Sequence, residues 1–228
     1  MREDSMVNKT KIDVGTGFVM LEASMGSAVS IVNAARVSMG RKVSEITEPD
    51  RRLLSYLWEH EHTSPFRHVQ LQFHIKAPVF VLRQWMKHQV GCAWNEISGR
   101  YVTFEQEAWT PNVWREQSPL IKQGSGGDLE EVKSEAAADL YASAMKESFH
   151  AYEALLALGV AKEQARLVLP LSLMSECYWT ASLQAVIHFL RLRRDGHAQA
   201  EIRAFADAVW SLVYEVEGLD FVLAVCLD

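Results

Sequence analysis

The chain has 228 residues, about half of them apolar, and a formal net charge of −6. This length allows a buried core, and the acidic balance argues against a nucleic-acid polymer as a partner. The three widely spaced cysteines match neither a zinc spacing nor a disulfide framework, which is typical of the reducing cytoplasm, and no apolar run is long enough to span a bilayer. Residues 1–10 are polar and do not resemble a signal peptide, so we expect them to be disordered or a cloning remnant.

The first part of the chain alternates between strand and helix patterns. Ser27 is a suitable N-cap, Pro49 falls in the first turn of a helix, and a later helix begins at Ala77 and Pro78 and ends at Gly91. The predicted elements are one or two short strands at 11–22, helices at 27–39 and 47–60, a half-buried strand at 69–76, and a helix from 77 to about 88.

The second part is predicted to be richer in helix. A strand is expected at Arg100–Phe104, followed by an irregular stretch in which residues 124–127, GSGG, form a mobile connector. The remaining predicted elements are a long helix at 129–158 stopped by Gly159, a short helix that holds Arg166, a strand at 177–181, a helix at 182–191 and a final long helix at 198–216. We therefore predict one α+β domain over residues 11–228, with a small antiparallel sheet and several long helices.

Three histidines lie between His60 and His68, which raises the question of a metal site. Pro65 breaks any helical face between them, and no further set of ligands lies nearby in the sequence. The pattern therefore favours a polar loop, or a loop that orients a cofactor, over a metal.

The stretch at 83–101 concentrates hydrogen-bond donors. Basic and amide side chains alternate there with Gly91 and Gly99, which permit close backbone approach to a ligand. Such a set suits an anion. The alternative is an amphipathic helix with a charged solvent face, followed by a polar loop.

Four motifs in the same order resemble those of the flavin-dependent thymidylate synthases. The signature R-Q-W-x-R-H-R … N-E-x-S-x-R-Y is matched in part by residues 83–88 and 95–101. The family's H-x-T-P-F loop resembles residues 62–66, its R-x-V-L-P-L resembles 166–171, and its L-R-x-D-x-H-A-Q resembles 192–199. The resemblance covers nearly the whole chain and implies that family's fold.

The chain also departs from the family pattern. Lys87, His88 and Gln89 stand where the family has Arg-His-Arg, so one permanent charge is lost. Eight residues instead of seven separate Gln89 from Ser98. Two asparagines of the family's flavin-contacting segment are replaced by Ser182 and His188.

The resemblance implies reductive methylation of dUMP to dTMP, with FAD as cofactor and with methylenetetrahydrofolate and NADPH as co-substrates. It also implies a homotetramer with sites between subunits, since no glycine-rich nucleotide-binding unit is visible. Two alternatives remain: a flavin- and folate-dependent hydroxymethylase of dUMP or dCMP, which the altered Lys-His-Gln run motivates, and a non-catalytic nucleotide-binding homologue.

The resemblance also implies roles for individual residues. Arg100 and Arg166 are expected at the nucleotide phosphate, and Arg193 at the pyrimidine, where its charge would stabilise a nucleophilic carbon 5. The substrate-binding candidates are Arg83, Gln84, Glu96, Ser98, Gly99, Arg100, Arg166 and Arg193. The FAD-binding candidates are His62, Ser64, Lys87, His88, Gln89, Asn95, Glu96, Ser182, His188 and His197.

The catalytic candidates are Arg193, Ser98 and His62. No histidine adjoins Ser98 in the sequence, so a binding hydroxyl is favoured there over a nucleophile. Cys92 lacks the surroundings of the catalytic cysteine in classical thymidylate synthases and is expected to be a packing residue. His197 fits a cofactor contact and a satisfied core histidine equally well.

Overall fold

The computed structural model describes residues 10–119 and 124–227. The predicted disorder of the N-terminus therefore falls, apart from Thr10, outside the described residues. Among the helices of the described part, none combines the length and apolarity needed to cross a membrane.

Strands and helices occur in short runs along the chain, and the last three elements are all helices, as is typical of an α+β fold. The helices are α1 Ala28–Arg36, α2 Glu48–Glu59, α3 Val79–Trp85, α4 Glu131–Ala157, α5 Lys162–Ala165, α6 Leu183–Arg193, α7 Ala200–Tyr214 and α8 Asp220–Leu227. The strands are β1 Lys11–Val14, β2 Gly17–Met25, β3 Gln70–Pro78, β4 Cys92–Glu96, β5 Arg115–Gln117, β6 Ser125–Asp128 and β7 Met174–Ser182.

Contacts between residues divide the chain into two compact units. The first contains the residues up to Lys76, Arg83–Asn95 and those from Glu176 onward. The second contains Ala77–Leu82 and Glu96–Ser175. The predicted α+β class with a small antiparallel sheet is confirmed, whereas a single domain over residues 11–228 stays a prediction.

Most residues of a five-stranded sheet, in the order β1-β2-β3-β7-β4, belong to the first unit. β1 and β2 form an antiparallel hairpin, and β2 pairs antiparallel with β3. Alternate residues of β3, including Leu71, Phe73 and Ile75, are fully buried, which confirms the period-two pattern in the sequence. Trp179 of β7 stacks on Phe73 and extends this core across the sheet.

Two helices of the first unit begin with reciprocal side-chain caps. Ser27 caps α1 together with Ser30, and Thr47 caps α2 together with Asp50. These caps satisfy backbone N–H groups that a helix leaves without partners at its start. The predicted N-cap at Ser27 and the early position of Pro49 are both confirmed.

Several sequence-based boundaries are wrong. Ala77 and Pro78 end β3 and do not begin a helix, and α3 stops at Trp85 before reaching His88. No strand forms at Arg100–Phe104. There, the N–H groups of the two residues that follow Arg100 donate to the Ser98 carbonyl, so the chain turns instead of pairing.

The second unit is built around α4. Phe149 and Tyr152 are its buried residues, while Leu140 is 74% exposed. The stretch at 124–127 is not a connector, because Ser125–Asp128 pairs with β5 as strand β6. The predicted last helix ends at Tyr214, and α8 follows it in the first unit.

Candidate active site

The turn after α3 carries the Lys-His-Gln run and starts from a rigid aromatic cluster in the first unit. Trp85, the last residue of α3, is fully buried and stacks on Phe189 of α6 with ring centroids 4.6 Å apart. The His88 N–H then donates to the Trp85 carbonyl at 2.9 Å. Helix geometry therefore does not position His88; a tight turn beyond the helix does.

His88 and Arg193 form the central contact of this region. Arg193 Nε donates to His88 Nε2 at 3.1 Å, and Arg193 Nη2 donates to the Gln84 carbonyl at 3.4 Å. Because His88 Nε2 accepts, its ring proton resides on Nδ1. Burial, followed by the charges of Arg193 and His188, lowers the pKa of His88 to about 4. His88 is therefore neutral at physiological pH and holds the guanidinium in place.

Gly91 allows the chain to pass close to the start of α6. Its φ is +74°, and a Cβ at this position would lie 2.9 Å from Ser182 Oγ. Ser182 N donates to the Gly91 carbonyl at 3.0 Å, while Ser182 Oγ accepts from Ala185 N and caps the helix. The sequence predicted close backbone approach at this glycine, and the structure supplies the reason: contact with a helix cap.

A cavity of about 500 Å³ opens beside these contacts, entirely within the first unit. Among the described residues, its lining carries three permanent cations and two histidines, and no carboxylate. In an acidic chain, such a lining favours an anionic ligand. The lining residues are Arg67, Lys87, His88, Gln89, Val90, Gly91, Ser182, Gln184, Ala185, His188, Leu192 and Arg193.

Two smaller clefts adjoin this cavity and share residues with it. Arg67 also lines a cleft of about 450 Å³ that contains His62 and Ser64. Gln184 and His188 also line a third cleft, of about 440 Å³. The three spaces therefore adjoin one another in the first unit through shared lining residues.

The Ser98 hydroxyl belongs to the second unit. Ser98 Oγ accepts from the Arg100 N–H at 3.3 Å. Gly99 is buried, and a Cβ there would lie 2.3 Å from the Phe104 ring and 3.2 Å from Arg166 Cδ. Only glycine fits this position without displacing the ring. None of the hydrogen bonds within the described residues links Ser98 Oγ to a base, which supports a binding hydroxyl over a nucleophile.

Arg100 and Arg166 both contact Glu163 in the second unit. Arg100 Nε lies 3.4 Å from Glu163 Oε2, and Arg166 Nε donates to the Glu163 carbonyl at 3.4 Å. The Arg100–Glu163 pair is more than half exposed, so it contributes little stability. Nearby in sequence, Glu96 Oε1 accepts from the Ser175 hydroxyl at 2.6 Å.

Other candidates lie outside the cavity lining. Gln84 donates to Gln199 at 2.6 Å, and Arg83 and Asn95 are exposed. His197 is also exposed, and its Nδ1 pairs with Asp195 Oδ1 at 2.8 Å. The alternative of a core histidine at His197 is therefore wrong.

The histidines of residues 60–68 have separate environments. His60 Nδ1 contacts the Tyr56 carbonyl at 2.9 Å, and His62 lines the smaller cleft. Within residues 10–119 and 124–227, no three His, Cys, Asp or Glu side chains are grouped so as to hold a metal ion.

Comparison with known proteins assigns the family. The family described as thymidylate synthase complementing protein matches residues 20–217. The chain is 46% identical over 199 residues to a flavin-dependent thymidylate synthase of Thermus thermophilus, covering 87% of this chain and 72% of that protein. It is 43% identical over 194 residues to the enzyme of Kosmotoga olearia, covering 85% and 83% respectively.

The chain belongs to the flavin-dependent thymidylate synthase family. The fold agrees. The crystal structure of the UMP/dUMP methylase PolB from Streptomyces cacaoi, bound with 5-Br UMP, superposes with a TM-score of 0.81 at 28% identity. That match covers 94% of this chain and 96% of PolB. The family assignment made from four sequence motifs is confirmed.

Cys92 does not have the properties of a nucleophile in this family member. Its side chain is half-buried, and burial raises the pKa of the thiol. A catalytic cysteine requires the opposite shift, toward the thiolate.

Sequence reasoning missed Arg67, Gln184 and Leu192 as cavity residues. Arg67 directly follows the motif at 62–66. A cation next to a loop predicted to contact FAD was a signal in the sequence that it lines the cavity. Gln184 and Leu192 are brought to the cavity by opposite ends of α6, which no local pattern indicates.

Proposed function

We propose that this chain catalyses the reductive methylation of dUMP to dTMP, with methylenetetrahydrofolate as carbon donor, NADPH as reductant and FAD as cofactor. The observation that carries the proposal is Arg193, held by a neutral His88 at a cavity whose described lining contains no carboxylate. Family membership supplies the reaction class.

The cavity fits the chemistry of FAD. Its cations other than Arg193 suit a pyrophosphate, and the start of α6, where Gly91 passes close to Ser182, lines the same space. Lys87, His88, Gln89, Ser182 and His188 would hold the cofactor there, with His62 and Ser64 in the adjoining cleft. When bound, reduced flavin supplies the hydride that completes the methyl group.

Arg193 would act on the pyrimidine. Burial lowers the pKa of Arg193, yet a guanidinium stays protonated in proteins. Its fixed charge would stabilise negative charge as carbon 5 of the ring becomes nucleophilic. His88 has no proton to give at Nε2 and so would position the arginine, not transfer protons.

The second unit carries the groups proposed for the nucleotide monophosphate. Arg100 and Arg166 would bind its phosphate oxygens, and the Ser98 hydroxyl and Gly99 backbone would add hydrogen bonds. PolB, described as a UMP/dUMP methylase, supports a pyrimidine nucleotide as the substrate class. Arg83, Gln84 and Glu96 are proposed at the sugar or base, and Asn95 and His197 toward FAD.

We further propose a homotetramer with sites between subunits, which analytical ultracentrifugation tests directly. Arg83, Asn95 and His197 are exposed. In a tetramer they would contact a ligand in a site that a neighbouring copy completes.

Visible absorbance and product mass test the function. Purified protein should show a flavin spectrum, or gain one with added FAD, and should convert dUMP to a product heavier by one methyl group. A hydroxymethyl product would replace the proposal with the hydroxymethylase of dUMP or dCMP. Preference for dCMP or UMP over dUMP would change the substrate. Protein that neither carries nor takes up FAD would point to the non-catalytic homologue.

A further inference from the structure

Arg67 joins two of the clefts described above. It lies in the 3₁₀ turn Ser64–His68, and it lines both the 500 Å³ cavity and the cleft that contains His62 and Ser64. Arg67 therefore lies between the FAD candidates that line the larger cavity and His62 and Ser64, which line the smaller cleft.

The side chain of Arg67 is oriented but not neutralised. Arg67 Nε donates to Gln184 Oε1 at 2.6 Å, and Gln70 Nε2 donates to the Arg67 carbonyl at 2.8 Å. No ion pair within residues 10–119 and 124–227 involves Arg67. A neutral amide thus fixes one edge of the guanidinium, and the two Nη groups remain available for a ligand.

We propose that Arg67 binds the pyrophosphate of FAD and replaces the arginine charge missing at Gln89. This inference rests on the proposed function. Gln89 and Arg67 line the same cavity, so a guanidinium at either position places a permanent charge on the same ligand. Two oxygens of adjacent phosphates match the fork of Nη donors, which the ammonium of Lys87 cannot do.

Titration of the full-length protein with FAD, followed by flavin absorbance and fluorescence, tests the assignment without reference to activity. Loss of a charge-assisted phosphate contact should weaken FAD binding by roughly 10- to 100-fold in Arg67→Gln. The FAD affinity of Arg67→Lys should lie between those of the wild type and Arg67→Gln, because lysine keeps the positive charge but lacks the paired N–H donors of a guanidinium. Adding Gln89→Arg to Arg67→Gln should restore most of the affinity.

The matched control is Arg52→Gln, which removes the same charge from an exposed site on α2 outside all three clefts. It should bind FAD as the wild type does. Thermal unfolding of each variant verifies that the fold is retained, and dUMP titration separates the two phosphate-bearing ligands.

Two results would overturn the inference while leaving the proposed function intact. One is an Arg67→Gln protein whose FAD affinity equals that of the wild type. The other is loss of dUMP affinity with FAD affinity unchanged, which assigns Arg67 to the substrate phosphate. If wild-type protein binds no FAD, both proposals fail together.

Discussion

Arg193 Nε donates a hydrogen bond to His88 Nε2 at 3.1 Å, so a neutral imidazole orients the charged group proposed to act on the substrate. The contact joins the turn after α3 to the last residue of α6, 105 residues apart in the chain. This hydrogen bond accounts for a histidine at position 88, even though Lys87 and Gln89 on either side differ from the family pattern. A guanidinium held from one side would meet the pyrimidine proposed as its partner at a fixed angle.

Replacement of Arg193 and replacement of His88 should therefore lower turnover by different amounts. Arg193→Ala should lower kcat by roughly 100-fold or more, because the charge itself is lost, and should leave FAD bound. His88→Ala should lower kcat by roughly 10-fold with a smaller change in KM, since the arginine stays but loses its orientation. Steady-state kinetics check this, and near-normal turnover of Arg193→Ala would remove that residue from the pyrimidine.

The pH dependence of stability should contain a contribution from His88. Its folded pKa of about 4 lies below the unfolded value of about 6.5, so the unfolded chain binds the extra proton between those values. The stability from neutral His88 is fully present above about pH 6.5 and is lost as pH falls toward 4, by on the order of 2–3 kcal/mol. Urea unfolding across this range should show a flatter profile for His88→Gln. His150→Gln, which removes an exposed histidine from α4, is the control.

Gly91→Ala should weaken both the fold and FAD binding. The positive φ costs roughly 1–2 kcal/mol for alanine, and the new Cβ, 2.9 Å from Ser182 Oγ, also displaces the cap of α6. Gly40→Ala, with φ of +64° and nothing within 4 Å, isolates the backbone cost. Equal losses of unfolding free energy and unchanged FAD affinity in both variants would argue against the close contact.

Glu61→Gly should stabilise the protein by about 1 kcal/mol. Glu61 has φ of +57° at the end of α2, where the His62 N–H donates to the Leu57 carbonyl at 2.8 Å. Gly159 ends α4 in the same hydrogen-bond arrangement, with φ of +83°. The left-handed conformation favours glycine in both places, so Gly159→Ala should lose about what Glu61→Gly gains. Opposite shifts in urea midpoint test this, and a stability loss in Glu61→Gly would contradict it.

Asp50→Ala should destabilise the fold by roughly 2–4 kcal/mol. Asp50 is buried, caps α2 through Thr47, and contacts Arg36 Nη2 at 2.5 Å. The Thr47 side-chain hydrogen bond is the main cause that lowers the pKa of Asp50, so this stability is lost as pH falls below about 3.8. The free-energy cost of losing the helix cap adds to the cost of leaving Arg36 without its buried partner. Glu48→Ala removes an exposed partner of Arg52 on the same helix and should cost less than about 1 kcal/mol in the same unfolding assay.

Local patterns predicted the elements whose cause is local. The cap at Ser27, the place of Pro49 in the first turn of α2, the alternation along β3 and the stop of α4 at Gly159 all depend on residues within one turn or one strand. The end of α3 was wrong because its last turn is decided by packing of Trp85 on Phe189, about a hundred residues away in the chain. The strand β6 was missed since its glycines pair with β5, which propensity does not favour.

The order of motifs along the sequence was sufficient to determine the family, the reaction class and half of the twelve residues that line the cavity, because the types and spacing of chemically reactive groups are properties of the sequence itself. Tertiary structure alone decided which of these groups meet. It joined His88 to Arg193, brought Gly91 against Ser182, and added Arg67 to the cavity. These contacts link distant segments, and their energies depend on burial and distance, which no local pattern specifies.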